Sequence, residues 1–319
     1  MKIAFRNTPF SAEQKESLSA LCIRGGYDYK WYEKDEEVLL DDLMDVEALM
    51  GYFPIPLLKS LKNLKWQQVP SAGVDSLCGG VYHDDSVILT NSSGAFGIAI
   101  SEYMLAGILM LMRAFPSYLK KQSEHIWQED KPSRTIYNSI ITVVGMGDIG
   151  TAFAKRAKAL GATIRGVKRT LCAPNEIYDE VYTTKDLIKA VENADAIVLS
   201  LPSTPETKHL LSQEVIAAMN EKTIVVNCGR GATIDESALA DALKDKKIAG
   251  AVLDVFENEP LNPDSPLWDM ENVIITPHAS GRDTTPINAE IIYNIFKENL
   301  TRFIEKRPLI NIVDRKLGY

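Results

Sequence analysis

The sequence has few cysteines, few histidines and no excess of basic residues, and these shortages exclude several classes of protein. Its four cysteines and four histidines are scattered without metal-ligand spacing, so we expect free thiols and no metal site. The 43 acidic residues outnumber the 35 basic ones and give a formal net charge of −8. A surface that binds nucleic acid is usually basic, so no nucleic-acid partner is expected.

Long apolar runs are also lacking. The first residues contain no extended apolar core, which argues against a secretory signal. The most apolar stretch, 98–112, is too short to span a bilayer and carries Ser101 and Glu102, so it is interpreted as a buried helix. No membrane partner is therefore expected, and a cytoplasmic location is predicted.

Two series of short apolar runs, separated by helix-like stretches, are present instead. A chain of 319 residues is too long for one typical core and suits two domains. Alternation of this kind is typical of parallel sheets covered by helices, and a cleft between two such domains often binds a small molecule. The predicted strands are 3–5, 49–53, 66–69, 87–89, 140–144, 163–167, 196–199, 223–226, 248–253 and 273–276, with helices starting near 98 and covering 286–304.

A glycine turn joins the predicted strand 140–144 to a helix and matches the dinucleotide-binding pattern G-x-G-x-x-G. In that pattern the glycines permit a tight turn, close approach of the pyrophosphate and close helix–strand packing, and the helix N-terminus attracts phosphate. Three glycines can also form a simple turn, but the strand–turn–helix context favours a cofactor. The residues assigned to it are Gly145, Gly147, Asp148, Ile149 and Gly150.

The next strand ends in Lys168, Arg169 and Thr170, where an NAD site usually has a carboxylate. Two cations and a hydroxyl suit the 2′-phosphate of NADP, because guanidinium and phosphate pair well. NADP(H) is therefore preferred, with NAD(H) as the second option. The alternative interpretation is a solvated basic turn.

Three further segments, in order along the chain, resemble those of the D-isomer-specific 2-hydroxyacid dehydrogenase family. They are NCGRGATIDE at 227–236, GAVLDVFENEP at 250–260 and TPHAS at 276–280. The resemblance covers nearly the whole chain. It implies an α/β protein of two domains: a doubly wound parallel-sheet Rossmann domain at 101–280, inserted in a flavodoxin-like substrate domain at 1–100 and 281–319. It also implies a homodimer.

The same resemblance assigns the catalytic residues as Arg230, Glu259 and His278, and their chemistry suits a 2-keto acid. An arginine fork can hold the carboxylate and carbonyl of the substrate. A histidine can donate a proton as hydride arrives, and a glutamate can fix its tautomer. The other histidines, His83, His125 and His209, are interpreted as ordinary loop or surface residues.

Other site residues also follow from the resemblance. Backbone N–H groups of Ala72 and Gly73 are expected to bind the substrate carboxylate. Asp254 would lie near the nicotinamide in a positioning role, and a structural cap is nearly as plausible. The remaining cofactor contacts are assigned to Pro202, Thr207, Cys228 and Ser280.

The predicted function is hydride transfer between NAD(P)H and a small 2-keto or 2-hydroxy acid, D-specific and in the reducing direction with NADPH. The motifs leave open whether the substrate is glyoxylate, hydroxypyruvate, pyruvate or a bulkier acid. Formate or phosphite oxidation on the same scaffold is one alternative. A cofactor-sensing, corepressor-like interaction protein without turnover is the other.

Overall fold

A computed structural model describes residues 2–33, 35–130 and 133–318. The strands are β1 (Lys2–Arg6), β2 (Asp28–Tyr32), β3 (Val46–Gly51), β4 (Trp66–Gln68), β5 (Ile88–Thr90), β6 (Ile140–Val144), β7 (Thr163–Lys168), β8 (Glu180–Thr183), β9 (Ala196–Leu199), β10 (Ile224–Asn227), β11 (Gly250–Leu253) and β12 (Val273–Ile275). The α-helices are α1 (Ala12–Arg24), α2 (Ile55–Leu58), α3 (Gly97–Met112), α4 (Phe115–Ser123), α5 (Asp148–Ala159), α6 (Leu187–Val191), α7 (Gln213–Ala217), α8 (Glu236–Lys244) and α9 (Pro286–Ile304).

The chain divides into two compact units. The terminal unit consists of Met1–Phe96 and Arg282–Tyr319, and the central unit is Gly97–Gly281. Each unit has its own parallel sheet. The chain therefore leaves the terminal unit once, builds the central unit, and returns.

The terminal unit contains a five-stranded parallel sheet in the order β2-β1-β3-β4-β5. This is the strand order of flavodoxin-like folds. Helix α9 packs against α1, and its buried Asn299 donates a hydrogen bond of 2.8 Å to Gln68 of β4. The residues around Val313 pair with β5, which forms one edge of this sheet. There Val313 N–H donates to the carbonyl of Leu89. Residues from both ends of the chain thus complete one fold.

The central unit contains a seven-stranded parallel sheet in the order β12-β11-β10-β9-β6-β7-β8. Its middle strands are runs of branched apolar residues buried on both faces, as a sheet covered by helices on both sides requires. The strand order reverses between β6 and β9, and ligands in such sheets bind beyond the carboxyl ends of the strands at this point. The predicted fold class of two α/β units, one of them doubly wound, is confirmed.

Two strands, β2 and β8, were not expected from the sequence. Each lies at the edge of its sheet and is only partly buried, so its sequence has no continuous apolar run. Among the described residues no single helix is both long and apolar enough to cross a membrane. The bent pair Gly97–Met112 and Phe115–Ser123, at 67°, meets that criterion by length and composition alone.

Candidate active site

Three polar segments begin at the same edge of the central sheet. Asn227 at the end of β10 pairs with Leu253 of β11, and Leu253 pairs with Ile275 of β12. The segments that follow these strands, 228–231, 254–260 and 276–280, therefore start side by side. This is the edge at which the strand order of the sheet predicts a ligand.

Glu259 and His278 come into direct contact at this edge. Nδ1 of His278 lies 2.8 Å from Oε2 of Glu259, while Oε1 of Glu259 accepts a hydrogen bond from Phe256 N–H at 3.1 Å. An ionised carboxylate can only accept, so Nδ1 carries a proton and Nε2 is left for chemistry. The histidine side chain remains 55% exposed, so its ring is accessible to a bound molecule.

The loop that carries His278 is held by Asp254. The buried carboxylate of Asp254 accepts hydrogen bonds from Thr276 Oγ1, Ala279 N–H and Ser280, and its carbonyl accepts from His278 N–H at 2.9 Å. His278 has a φ of +50°, a conformation that non-glycine residues keep only where neighbouring contacts enforce it. These contacts match the structural cap that the sequence left open, and a contact of Asp254 with the cofactor stays a prediction.

Two other members of this network were missed by sequence reasoning. The hydroxyl of Tyr103 on α3 lies 2.6 Å from Oγ1 of Thr276, which in turn donates to Asp254. Burial raises the pKa of Tyr103, so its hydroxyl stays protonated. No sequence signal links these residues, because they are far apart in the chain and belong to common types.

Arg230 follows β10, two strands away from the strand that precedes His278. Its Nη1 donates 2.9 Å to the carbonyl of Gly229, and its own carbonyl accepts from Thr233 Oγ1 at 2.7 Å. The next residue, Gly231, packs so tightly that a Cβ there would lie 1.8 Å from the carbonyl carbon of Phe256. Arg230 and the short turn after it, together called the arginine turn (230–233), therefore pack against the segment 256–259, which carries Glu259.

The glycine turn has the geometry that a dinucleotide site needs. Gly145 has a φ of +107°, and a Cβ on Gly150 would lie 1.9 Å from the Gly145 carbonyl oxygen. A Cβ on Gly147 would meet nothing within 4 Å, which leaves open space in front of the turn. The first intrahelical bond of α5 runs from Thr151 N–H to Gly147, so the preceding N–H groups are available to phosphate oxygens. The residues present fit a bound pyrophosphate.

The other two members of the assigned turn lie at the start of α5. The carboxylate of Asp148 lies against α3, where a Cβ on Gly97 would be 2.9 Å from it. Desolvation raises the pKa of Asp148, and a hydrogen bond from Gly97 N–H partly offsets this. Ile149 is partly buried in the first turn of the helix.

Lys168 is the last residue of β7, with Arg169 and Thr170 exposed after it. The pKa of Glu206 is lowered, first by hydrogen bonds from its own N–H and Thr204 and also by the charge of Arg169. Arg169 is thus close enough to the 202–207 loop to act on a carboxylate there. Glu206 was not assigned to the site from the sequence.

The remaining assigned cofactor residues are parts of the same edge. Thr207 Oγ1 donates 2.8 Å to the carbonyl of Pro202 and accepts from Thr204 N–H at 2.8 Å, which closes the 202–207 loop on itself. Cys228 and Ser280 are buried beside Asp254. Burial raises the pKa of the Cys228 thiol, the charge of Asp254 adds to this, and a hydrogen bond with Ser280 opposes it. All four cysteines are free.

The loop that carries Ala72 and Gly73 belongs to the terminal unit. The Ala72 carbonyl accepts 2.8 Å from Asn91 Nδ2, and the Gly73 carbonyl accepts 2.7 Å from Ser71 Oγ. The N–H groups of Ala72 and Gly73 donate to no other described residue of that unit. The carbonyl groups of Ala72 and Gly73 are thus hydrogen-bonded within the terminal unit, and their N–H groups are available to an anion.

Comparisons with known proteins agree with this geometry. A family model described as "D-isomer specific 2-hydroxyacid dehydrogenase, NAD binding domain" matches residues 105–280. A D-3-phosphoglycerate dehydrogenase of Methanocaldococcus jannaschii is 32% identical over 89% of this chain, which spans only 56% of that protein's length.

Two solved structures cover the whole fold. A D-isomer specific 2-hydroxyacid dehydrogenase family protein from Aeromonas salmonicida has a TM-score of 0.86 at 33% identity, over 98% of this chain and 99% of the other. An NADPH-dependent glyoxylate/hydroxypyruvate reductase from Sinorhizobium meliloti, in complex with NADP and sulfate, has a TM-score of 0.84 at 25% identity, over 100% of both chains.

Proposed function

The chain belongs to the D-isomer-specific 2-hydroxyacid dehydrogenase family and is accordingly an NAD(P)-dependent oxidoreductase, and from this premise we propose that it reduces small 2-keto acids with NADPH. One observation carries the proposal. The Glu259–His278 pair lies at the edge of the sheet to which Arg230 is also attached. At the switch point of that same sheet, the glycine turn has room for a pyrophosphate.

The residues divide the chemistry between them. When bound, the nicotinamide supplies the hydride. Arg230 holds the carboxylate and carbonyl of the keto acid, so that the carbonyl carbon is oriented for attack. His278 donates a proton from Nε2 to the carbonyl oxygen as negative charge develops there. Glu259 keeps the other proton on Nδ1 and stabilises the imidazolium.

Binding of the substrate carboxylate is assigned to the N–H groups of Ala72 and Gly73. Support comes from the loop itself, since its carbonyl groups are bonded within the terminal unit and these N–H groups are not. We accordingly assign the carboxylate-binding loop to the terminal unit and the cofactor to the central unit, which also carries Arg230 and His278. The cofactor contacts are assigned to the glycine turn, the end of β7, Pro202, Thr207, Cys228, Asp254 and Ser280.

Reduction of a panel of 2-keto acids tests the proposal. Purified protein is mixed with NADPH or NADH and with glyoxylate, hydroxypyruvate, pyruvate or a bulkier 2-keto acid, and absorbance is followed at 340 nm. Acid-dependent oxidation of NADPH supports the proposal and identifies the substrate. Cofactor binding without turnover of any acid would contradict it.

The preference for NADP(H) rests on Lys168 and Arg169 and on the absence of a carboxylate at that strand end. A Lys168→Asp/Arg169→Ala variant should lose its preference for NADPH, measured as the ratio of kcat/KM for the two cofactors. Glu206→Gln, which removes a negative charge near Arg169, should increase it. Lys244→Asp, a charge reversal at the end of α8, is the control. An unchanged ratio in the double variant would overturn the assignment.

We also propose that the protein is a homodimer and that it is located in the cytoplasm. Five large hydrophobic residues within thirteen positions are exposed: Phe115 (51%), Tyr118 (37%), Leu119 (53%), Ile126 (45%) and Trp127 (103%). Exposed apolar clusters of this kind commonly mark an interface, here with a second copy. Light scattering should give twice the mass of one chain for the wild type. A Trp127→Ala/Ile126→Ser variant should shift toward the monomer; a wild-type monomer would contradict the proposal.

A further inference from the structure

A second histidine–glutamate pair lies next to the proposed catalytic pair, because the glutamates of both pairs, Glu257 and Glu259, belong to the segment 256–259. Nε2 of His209 lies 2.9 Å from Oε1 of Glu257. Its construction repeats that of His278: both histidines have a φ of +50°. The N–H of each donates to a carbonyl of a neighbouring loop, Ala232 for His209 and Asp254 for His278. His209 therefore has a carboxylate partner as well as a fixed backbone contact in its loop.

Glu257 is fixed by more than the imidazole. Its Oε1 also accepts from Glu236 N–H at 3.1 Å, and its own N–H donates to Glu236 Oε2 at 3.2 Å. Burial raises the pKa of Glu236, the hydrogen bond from Glu257 N–H lowers it, and the charge of Glu257 raises it again. Two carboxylates are thus held side by side at the start of α8, with an imidazole on one of them.

The residues 256–259 connect the two pairs. Glu257 contacts His209. Glu259 accepts a hydrogen bond from Phe256 N–H and contacts His278. Because only one residue separates the two glutamates, a displacement of the first moves the second. The rings of His209 and His278 are therefore both bonded to the segment 256–259.

The loop of His209 is also attached to the arginine turn. His209 N–H donates to Ala232, and Leu211 N–H donates 3.0 Å to the carbonyl of Thr233. Ala232 and Thr233 belong to the short turn, Gly231–Thr233, that Arg230 precedes. His209 thus joins the arginine turn through its backbone to the glutamate segment through its ring.

We propose that His209 and Glu257 are positioning residues, which hold the glutamate segment against the arginine turn and so orient His278. The inference rests on the proposed function, and neither residue is assigned to the reacting atoms. Removing a positioning residue lowers turnover, since small displacements of catalytic groups are costly, while cofactor affinity is retained.

His209→Asn and His209→Gln form the decisive comparison. Asparagine tolerates a positive φ but is too short to reach Glu257, whereas the glutamine amide can place a donor where Nε2 lies. We expect kcat to fall about tenfold in His209→Asn, with KM for the keto acid changed by less than about twofold. His209→Gln should recover to within about threefold of wild type.

Two variants control for indirect effects. His125→Ala alters another histidine at positive φ, +57°, whose ring has no carboxylate partner among the described residues, and should leave kcat unchanged. Glu257→Ala should reproduce the loss, and combining it with His209→Asn should add little, because both remove one interaction. Wild-type kcat in His209→Asn, or losses that multiply in the double variant, would overturn the proposal. So would failure of glutamine to rescue.

A readout independent of turnover separates this inference from the proposed function. The chain has only four histidines, so imidazole 15N spectra resolve each ring. The wild type should show a proton on Nδ1 of His278, and His209→Asn should lose or exchange-broaden that signal while His209→Gln restores it. An unaltered His278 signal in His209→Asn would refute the positioning role. If wild type reduces no keto acid, the proposed function fails and this spectrum still decides the inference.

Discussion

Alanine at two glycines of the nucleotide turn should separate a role in folding from a role in binding. At Gly150 the added methyl would lie 1.9 Å from the Gly145 carbonyl oxygen and 3.0 Å from Ser200 Oγ. At Gly147 it would meet nothing within 4 Å, and the φ of −82° there suits any residue. Gly147→Ala is therefore a matched control for the clash at Gly150.

The geometry gives the magnitude for Gly150→Ala. Real Cβ contacts are not shorter than about 3.0 Å, so backbone on one side must move by roughly 1.1 Å. Overpacking of this kind costs up to about 3 kcal/mol. In a unit of this size, each kcal/mol lowers Tm by about 2–4 °C, so the central unit should melt lower by up to about 6–12 °C. Gly147→Ala should melt like the wild type.

Calorimetry without cofactor and fluorescence titration with NADPH measure the two effects separately, because bound cofactor would itself raise Tm. Gly147→Ala should weaken NADPH binding at least about tenfold, since the methyl occupies the space left for the pyrophosphate. A Tm within about 2 °C of wild type for Gly150→Ala would refute the clash argument. Wild-type affinity for NADPH in Gly147→Ala would refute the placement of the pyrophosphate.

Three further predictions concern the sheet edge. Arg230→Ala and His278→Ala should each lower kcat/KM by about 10²- to 10⁴-fold with unchanged circular dichroism, and near-normal rates would contradict the assigned role. Asp254→Asn leaves some of the donors that now converge on the carboxylate unpaired; we expect it to lose about 1–3 kcal/mol in urea unfolding, and full stability would show that the cap is dispensable. Because burial raises the pKa of Cys228, this thiol should resist iodoacetamide at pH 8 until the protein is unfolded; rapid labelling of native protein, located by peptide mapping, would argue against its burial.

Much of the fold could be predicted because the central strands are continuous apolar runs in the sequence. The observed β6 and β9 coincide with the predicted 140–144 and 196–199, and α9 coincides with the predicted 286–304. Strands buried on both faces need continuous branched apolar residues, which are visible in a sequence. The edge strands β2 and β8 escaped prediction, because a half-exposed strand is free to carry Asp, Lys or Glu.

The candidate site was predictable to the extent that its motifs are local. The glycine turn and the spacing of the three polar segments indicated which residues to examine, and Glu259 and His278 do meet. The network around Asp254 depends on Tyr103, which is more than 150 residues away in the chain, and only the folded sheet brings them together. His209 and Glu257 were missed for the same reason, since the pairing is across two loops.

The way the chain leaves the terminal unit and returns to it sets an order of events during synthesis. On the ribosome, the central unit is synthesised before Asn299 and Val313, although these residues supply bonds to Gln68 and Leu89 in the first sheet. The N-terminal strands therefore lack the contacts of Asn299 and Val313 while about 185 residues of the inserted unit are translated. A segment translated after the central unit thus completes the sheet that was translated before it.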